Sequence, residues 1–154
     1  IAQGLVSYQA SGMRQNIYEQ DGYQIYADCY NASPDAMEAT LSVLGGMAGE
    51  GRRFAVLGSM LELGGYAEEG HRRAGRAAAQ YADALYAYGP DAAAMVAGAR
   101  EKGMEHAYAF DDQTALVAAL REDAKKGDAL LFKGSRGMRM ERALAMFLGE
   151  EVEA

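Results

Sequence analysis

Four short apolar runs, each closed by a turn signal and followed by a stretch of helical spacing, constrain this chain most. They are Arg53–Gly58, Ala84–Gly89, His106–Phe110 and Ala129–Lys133. A brief apolar run bounded by glycine or aspartate reads as a strand buried on both faces. Such strands alternating with helices predict an α/β domain: a mostly parallel sheet, helices on both faces, and right-handed crossovers. Ahead of them, Asn16–Gln20 and Tyr23–Asp28 flank Asp21-Gly22, the pattern of a β-hairpin. The hairpin would add an antiparallel strand at one edge.

The helices carry start and stop signals. Ser33 is a good N-cap, Pro34 suits the first helical position, and Asp35 complements the helix dipole. Met37, Leu41, Leu44 and Ala48 then repeat at helical spacing; Gly45 and Gly46 weaken the end of this helix, and Gly49 to Gly51 close it. A second helix is predicted over about 67–82, with a basic patch at His71, Arg72, Arg73 and Arg76. Pro90 starts a third, to about Lys102. Asp111 or Asp112 caps a fourth, to about Lys126. The last runs through Met140, Leu144 and Phe147. Residues 1–15 read as a linker remnant, 16–149 as the domain, and 150–154 as a frayed acidic tail.

Composition narrows the function classes. The 154 residues suffice for one domain, and 50% apolar residues are too many for a disordered chain. A net charge of -7 argues against nucleic acid as a partner but leaves room for a local basic pocket. One cysteine excludes an internal disulfide framework, and two histidines exclude a histidine-rich metal site. No secretory signal and no membrane-spanning apolar run are present. The chain opens at Ile1 without an initiator methionine, which suggests an excised or processed piece.

Two strand-to-helix turns concentrate polar groups. Lys133-Gly134-Ser135-Arg136-Gly137-Met138-Arg139 brings a glycine-rich backbone and three cations to a helix start, where an anion is favoured. The same residues also suit a solvated turn. Asp28 to Asp35 occupies the equivalent place after another strand: Asp28 suits a ribose hydroxyl or an amine, and Asn31 both donates and accepts. Both residue types also stabilise turns by themselves. Glu62 lies in an oddly apolar loop, free to face a cleft or to bind its own backbone or an arginine. His71 reads more readily as a half-exposed helix residue than as a ligand or acid–base group. Cys29 reads as a small buried hydrophobe. The phosphate-loop and dinucleotide fingerprints are both missing, so the chain suits half of a nucleotide site better than a whole one.

Four segments taken together resemble the C-terminal domain of the Mur ligases: Asp28-Cys29-Tyr30-Asn31-Ala32-Ser33-Pro34-Asp35-Ala36-Met37, Val56 to Gly64, His71, and Lys133 to Glu141. Within that family the motifs are most similar to the branch that adds D-alanyl-D-alanine to UDP-N-acetylmuramoyl-tripeptide. The resemblance implies a three-layer Rossmann-like domain of a bacterial cytoplasmic enzyme. It implies amide formation through an acyl phosphate, with ATP and Mg2+ held mainly by a central domain. It also implies that this domain works with the enzyme's own central and N-terminal domains and supplies no catalytic residue or metal ligand. By the same resemblance Arg14 and Asp28 approach ATP, Asn31, Ala32 and Ser33 line the amino-acid site, and Lys133, Ser135 and Arg136 hold the dipeptide carboxylate. His71 matches a family histidine. Ser59 stands where family members usually carry Asp, and Ser33-Pro34 where Asn-Pro is usual.

Overall fold

The computed structural model describes residues 16–30 and 32–151. Strands β1 (Asn16–Gln20) and β2 (Tyr23–Asp28) form the hairpin, with Asp21 and Gly22 both at positive φ as a tight two-residue turn requires. The elements that follow are α1 (Pro34–Gly45), β3 (Arg53–Gly58), α2 (Ala67–Tyr81), β4 (Ala84–Tyr88), α3 (Ala92–Glu101), β5 (Ala107–Phe110), α4 (Gln113–Asp123), β6 (Ala129–Lys133) and α5 (Met140–Phe147). Single 3₁₀ turns at Gly64–Tyr66 and Arg136–Met138 precede α2 and α5.

The six strands lie in the order β1-β2-β6-β3-β4-β5, parallel except for the hairpin. From β2 through β5 the chain steps across the sheet in one direction, and α1, α2 and α3 all pack on one face. The step from β5 to β6 runs backwards. A right-handed crossover in that direction must place its helix on the opposite face, where α4 and α5 are found. The expected three-layer Rossmann-like architecture is therefore the one observed.

Period-2 alternation sorts each strand's side chains between two cores. On β6, Leu131 faces α1 to α3 while Leu130 and Phe132 face α4 and α5; on β3, Ala55 and Leu57 oppose Phe54 and Val56 in the same way. Helices α2 and α3 meet at Gly75 and Gly98. A Cβ on Gly75 would strike the Met95 carbonyl oxygen, and one on Gly98 the Arg72 carbonyl oxygen, so the two backbones touch.

Several boundaries differ from expectation. Helix α1 stops at Gly45, where Arg53 donates to the Gly45 carbonyl at 2.8 Å. Helix α3 starts at Ala92, because Gly89-Pro90-Asp91 first makes a turn. Helix α4 ends at Asp123; the Asp128 carboxylate takes the Lys125 N–H at 2.8 Å and turns the chain into β6. In the expected tail, the Glu150 carboxylate accepts from Gln20 at 2.9 Å, and residues 152–154 lie outside the described residues. No helix among the described residues is long and apolar enough to cross a membrane.

Candidate functional site at the carboxyl rim of the sheet

The insertion of β6 between β2 and β3 creates a switch point. The chain leaves β2 and β3 toward one face and leaves β6 toward the other, and in open α/β sheets ligands bind beyond the carboxyl ends at such a point. Both sequence-selected turns end there. Asp28 and Lys133 are register partners in neighbouring parallel strands.

Register and alternation then dictate a contact. Asp28 shares its face with Tyr26 and Lys133 shares its face with Leu131, so both point toward α1. The Lys133 ammonium meets the Asp28 carboxylate at 2.6 Å, and the Thr40 hydroxyl of α1 donates to the same carboxylate oxygen at 3.4 Å. Lys133 is 2% exposed and Asp28 7%. Charges so removed from water persist only when paired. Sequence reasoning gave these residues separate ligands, whereas the structure gives them each other.

The remaining expected residues divide by what holds them. Arg14 and Asn31 lie outside the described residues. Ala32 is buried, and Ser33 caps α1, accepting the Ala36 N–H at 3.2 Å. Ser135 fastens β6 to β3: its hydroxyl accepts the Leu61 N–H at 2.8 Å, and its own N–H donates to the Ser59 carbonyl at 3.2 Å. Gly134 permits that approach, since a Cβ there would lie 2.9 Å from the Gly58 Cα. Arg136 is exposed, with its guanidinium 5.3 Å from the centre of the Tyr30 ring. Stacking orients the cation while its N–H groups stay at the edge of the plane.

His71 is a correction to the half-exposed reading, because it is completely buried. The chain after β3 folds back over the first turn of α2, onto the face that carries position 71. Its Nδ1 lies 2.7 Å from the Ala67 carbonyl and its Nε2 2.8 Å from the Met60 N–H. A carbonyl can only accept and an N–H can only donate, so the pattern is that of the Nδ1–H tautomer. Asp91 lies 3.7 Å from Nε2; with that nitrogen already accepting from Met60, we read this approach as proximity rather than an ion pair. Ser59, fully buried, accepts the Asp91 N–H at 3.0 Å. Loops after β3, β4 and β6 are thereby joined.

The basic patch expected on α2 is also corrected, because its arginines are paired. Arg72 meets Glu68 and Glu101 at 2.7 and 2.6 Å, Arg73 meets Glu38 and Asp35 at 2.6 and 2.5 Å, and Arg76 meets Glu69 and Glu101 at 2.5 and 3.1 Å. The acidic partners come from α1, α2 itself and the end of α3, and only the tertiary packing brings the three helices together. At the rim, by contrast, Arg136 and Arg139 meet no carboxylate among the described residues. Gln113, buried at the start of α4, donates to the Met138 and Arg139 carbonyls at 3.0 and 3.1 Å and holds that turn. Neither Gln113 nor Tyr30 carried a sequence signal, since each matters through residues far along the chain.

Cys29 donates to the Phe132 carbonyl at 3.4 Å. Burial first, then the Glu141 and Asp28 carboxylates, push its thiol up to about 12. It is an inert packing group, as its sequence context predicts. Among the described residues, no group of three His, Cys, Asp or Glu side chains is placed to hold a metal ion. The described residues of the rim therefore supply no Mg2+ site by themselves.

A doubly covered, mostly parallel sheet, antiparallel only at its edge hairpin, defines a Rossmann-like three-layer α/β domain. The family described as "Mur ligase, glutamate ligase domain" matches residues 13–136, and the chain belongs to it. The UDP-N-acetylmuramoyl-tripeptide--D-alanyl-D-alanine ligase of Bacillus subtilis is 36% identical over 143 residues, covering 91% of this chain and 31% of that protein. Its counterpart in Treponema pallidum is 39% identical over 75% of this chain and 25% of its own length. The MurF ligase of Thermotoga maritima, solved in complex with ADP, superposes with a TM-score of 0.79 at 34% identity, over 94% of this chain and 32% of that one. The chain thus spans under a third of the length of these relatives.

Proposed function

We propose that this chain is the C-terminal domain of an ATP-dependent ligase that joins D-alanyl-D-alanine to UDP-N-acetylmuramoyl-tripeptide in the bacterial cytoplasm. The observation that carries the reading is the meeting of three loops at one rim with Arg136 exposed, in a chain that matches relatives of that activity over most of its length. In this reading residues 1–15 lead from a central ATPase domain that holds the ATP phosphates and Mg2+, and an N-terminal domain holds the UDP-sugar. Arg14 would reach toward ATP from that linker.

The domain's own contribution is orientation. Arg136, stacked on Tyr30, receives the dipeptide carboxylate through its planar donor edge. The family resemblance assigns Asn31 and Ala32 to the lining of the same amino-acid site. The Lys133–Asp28 pair sits beneath as the rigid floor, and Ser135 and Ser33 hold the walls by bonding backbone. Closure over ATP bound elsewhere would expel water and protect an acyl phosphate from hydrolysis.

The test is turnover by the full-length gene product with tripeptide substrate, ATP and D-alanyl-D-alanine, followed as phosphate release and product mass. Amide product with the dipeptide is expected, and none from this domain alone. Turnover with a single amino acid in place of the dipeptide would assign a sister ligase. Ligand binding without any ATP-dependent product would assign a regulatory domain.

A further inference from the structure

Among the described residues Glu62 is an acidic group without a partner at this rim, beside the cations Arg136 and Arg139. It follows β3 in the same loop that His71 and Ser135 pin, and it is exposed. Its φ is 72°, the left-handed region that a glutamate adopts only at a cost, and an outlier of this kind draws attention to what the side chain does. Among the described residues its carboxylate makes no hydrogen bond or ion pair, although the acidic residues of the α1–α2–α3 surface find arginines.

Its place relative to Arg136 is set by two contacts. Leu61 donates to the Ser135 hydroxyl at 2.8 Å, and a Cβ on Gly137 would lie 2.9 Å from a Leu61 methyl. Glu62 and Arg136 are each one residue along from the atoms of that hydrogen bond. Standard backbone dimensions then bring their Cα atoms within about 14 Å of one another. An extended dipeptide spans about 7 Å, well within the combined reach of two long side chains. A carboxylate and a guanidinium so spaced, neither neutralised by another of the described residues, complement a small zwitterion.

We infer that Glu62 receives the ammonium group of the incoming dipeptide while Arg136 receives its carboxylate, so that the pair sets both the direction and the length of the bound amine substrate. The inference rests on the proposed ligase reading and adds the residue that recognises the amine end. The left-handed backbone aims Glu62, and the Met60–His71 and Leu61–Ser135 bonds keep the loop from relaxing. Glu62 acts in capture; no proton transfer is assigned to it.

The experiment uses the full-length ligase and three ligands: D-alanyl-D-alanine, its N-acetyl derivative, which keeps only the carboxylate, and D-alanyl-D-alaninol, which keeps only the amine. Affinities are measured by calorimetry, and the KM for the dipeptide by turnover. Glu62→Gln keeps shape and loses charge. It is expected to raise the dipeptide KM roughly fivefold, as an exposed charge pair supports, with the KM for ATP unchanged. It should weaken D-alanyl-D-alaninol by a similar factor and leave the N-acetyl derivative unaffected; Arg136→Met should show the reverse. Glu62→Lys should weaken the amine ligands further. If wild type turns over the dipeptide and Glu62→Gln binds all three ligands as wild type does, the inference is overturned and the ligase reading stands. An equal loss for all three ligands also overturns it, because that would mark a general loop defect. If wild type does not use the dipeptide, both fail.

Discussion

Replacing Lys133 with methionine tests the buried pair directly. The substitution keeps volume and removes the cation, leaving the Asp28 carboxylate 7% exposed with a long 3.4 Å bond from Thr40. Breaking a buried pair by removing one partner costs about 3–5 kcal/mol. For a chain of this size each kcal/mol corresponds to about 2–4 °C, so Tm should fall by roughly 6–20 °C. Asp28→Asn should cost a comparable amount by stranding the ammonium. The double variant, with neither charge, should recover most of the loss, because an uncharged pair of similar volume is often neutral to about 4 kcal/mol stabilising. Urea unfolding of the four proteins, followed by circular dichroism with a common m-value, closes the double-mutant cycle. A coupling below about 1 kcal/mol would refute the argument that these groups are a structural fastener. If Lys133→Met instead raised stability, the lysine would be a group held in reserve for a ligand at a cost to the fold.

Further outcomes are expected at four positions, Cys29, Gly75, His71 and Arg136. Cys29, the single thiol of the chain, should resist alkylation at pH 8 in the native state and react fully in denaturant. Its thiol ionises near 9.0 when unfolded and near 12 when folded, so the folded chain holds the proton more tightly. That contribution is whole below pH 9 and lost as pH climbs toward 12; Tyr18 and Tyr86, both raised chiefly by burial, act in the same direction. Alkaline unfolding curves on wild type and Cys29→Ala should show a shallower decline in the variant; identical slopes would contradict the assignment. Gly75→Ala should cost more than about 2 kcal/mol by forcing α2 and α3 apart, against the usual gain from alanine in a helix, as read by thermal melting. His71→Ala should leave the Met60 N–H buried without a partner, cost about 2–4 kcal/mol, and speed hydrogen exchange at Met60. Arg136→Ala in the full-length enzyme should raise the dipeptide KM about fivefold with little change in Tm, which separates its role from that of Lys133.

What was legible in the sequence was local. The Asp21-Gly22 turn, the Ser33-Pro34 helix start and the strand at 129–133 all appear where spacing and turn chemistry put them, because each depends on neighbours a few residues away. The alternation of strands and helices also carried the layer architecture, since short parallel strands can be covered in few ways. At the rim the sequence drew attention to Asp28 and Lys133 one at a time, and only the structure shows them paired with each other. Lys133 and Arg136 look alike as basic loop residues, yet one is the last residue of a buried strand and the other stacks on an exposed ring.

The sequence by itself determined which segments are strands and helices, which faces are apolar and where the turns fall, because those follow from periods of two and 3.6 residues. Tertiary structure alone decided that β6 enters between β2 and β3. That one choice brings Asp28 against Lys133 across 105 residues of chain, puts Ser135 against Leu61 across 74, and sets Arg136 over Tyr30. No periodicity encodes such pairings. They arise when the sheet closes, and burial then demands that every charge carried inside finds its opposite.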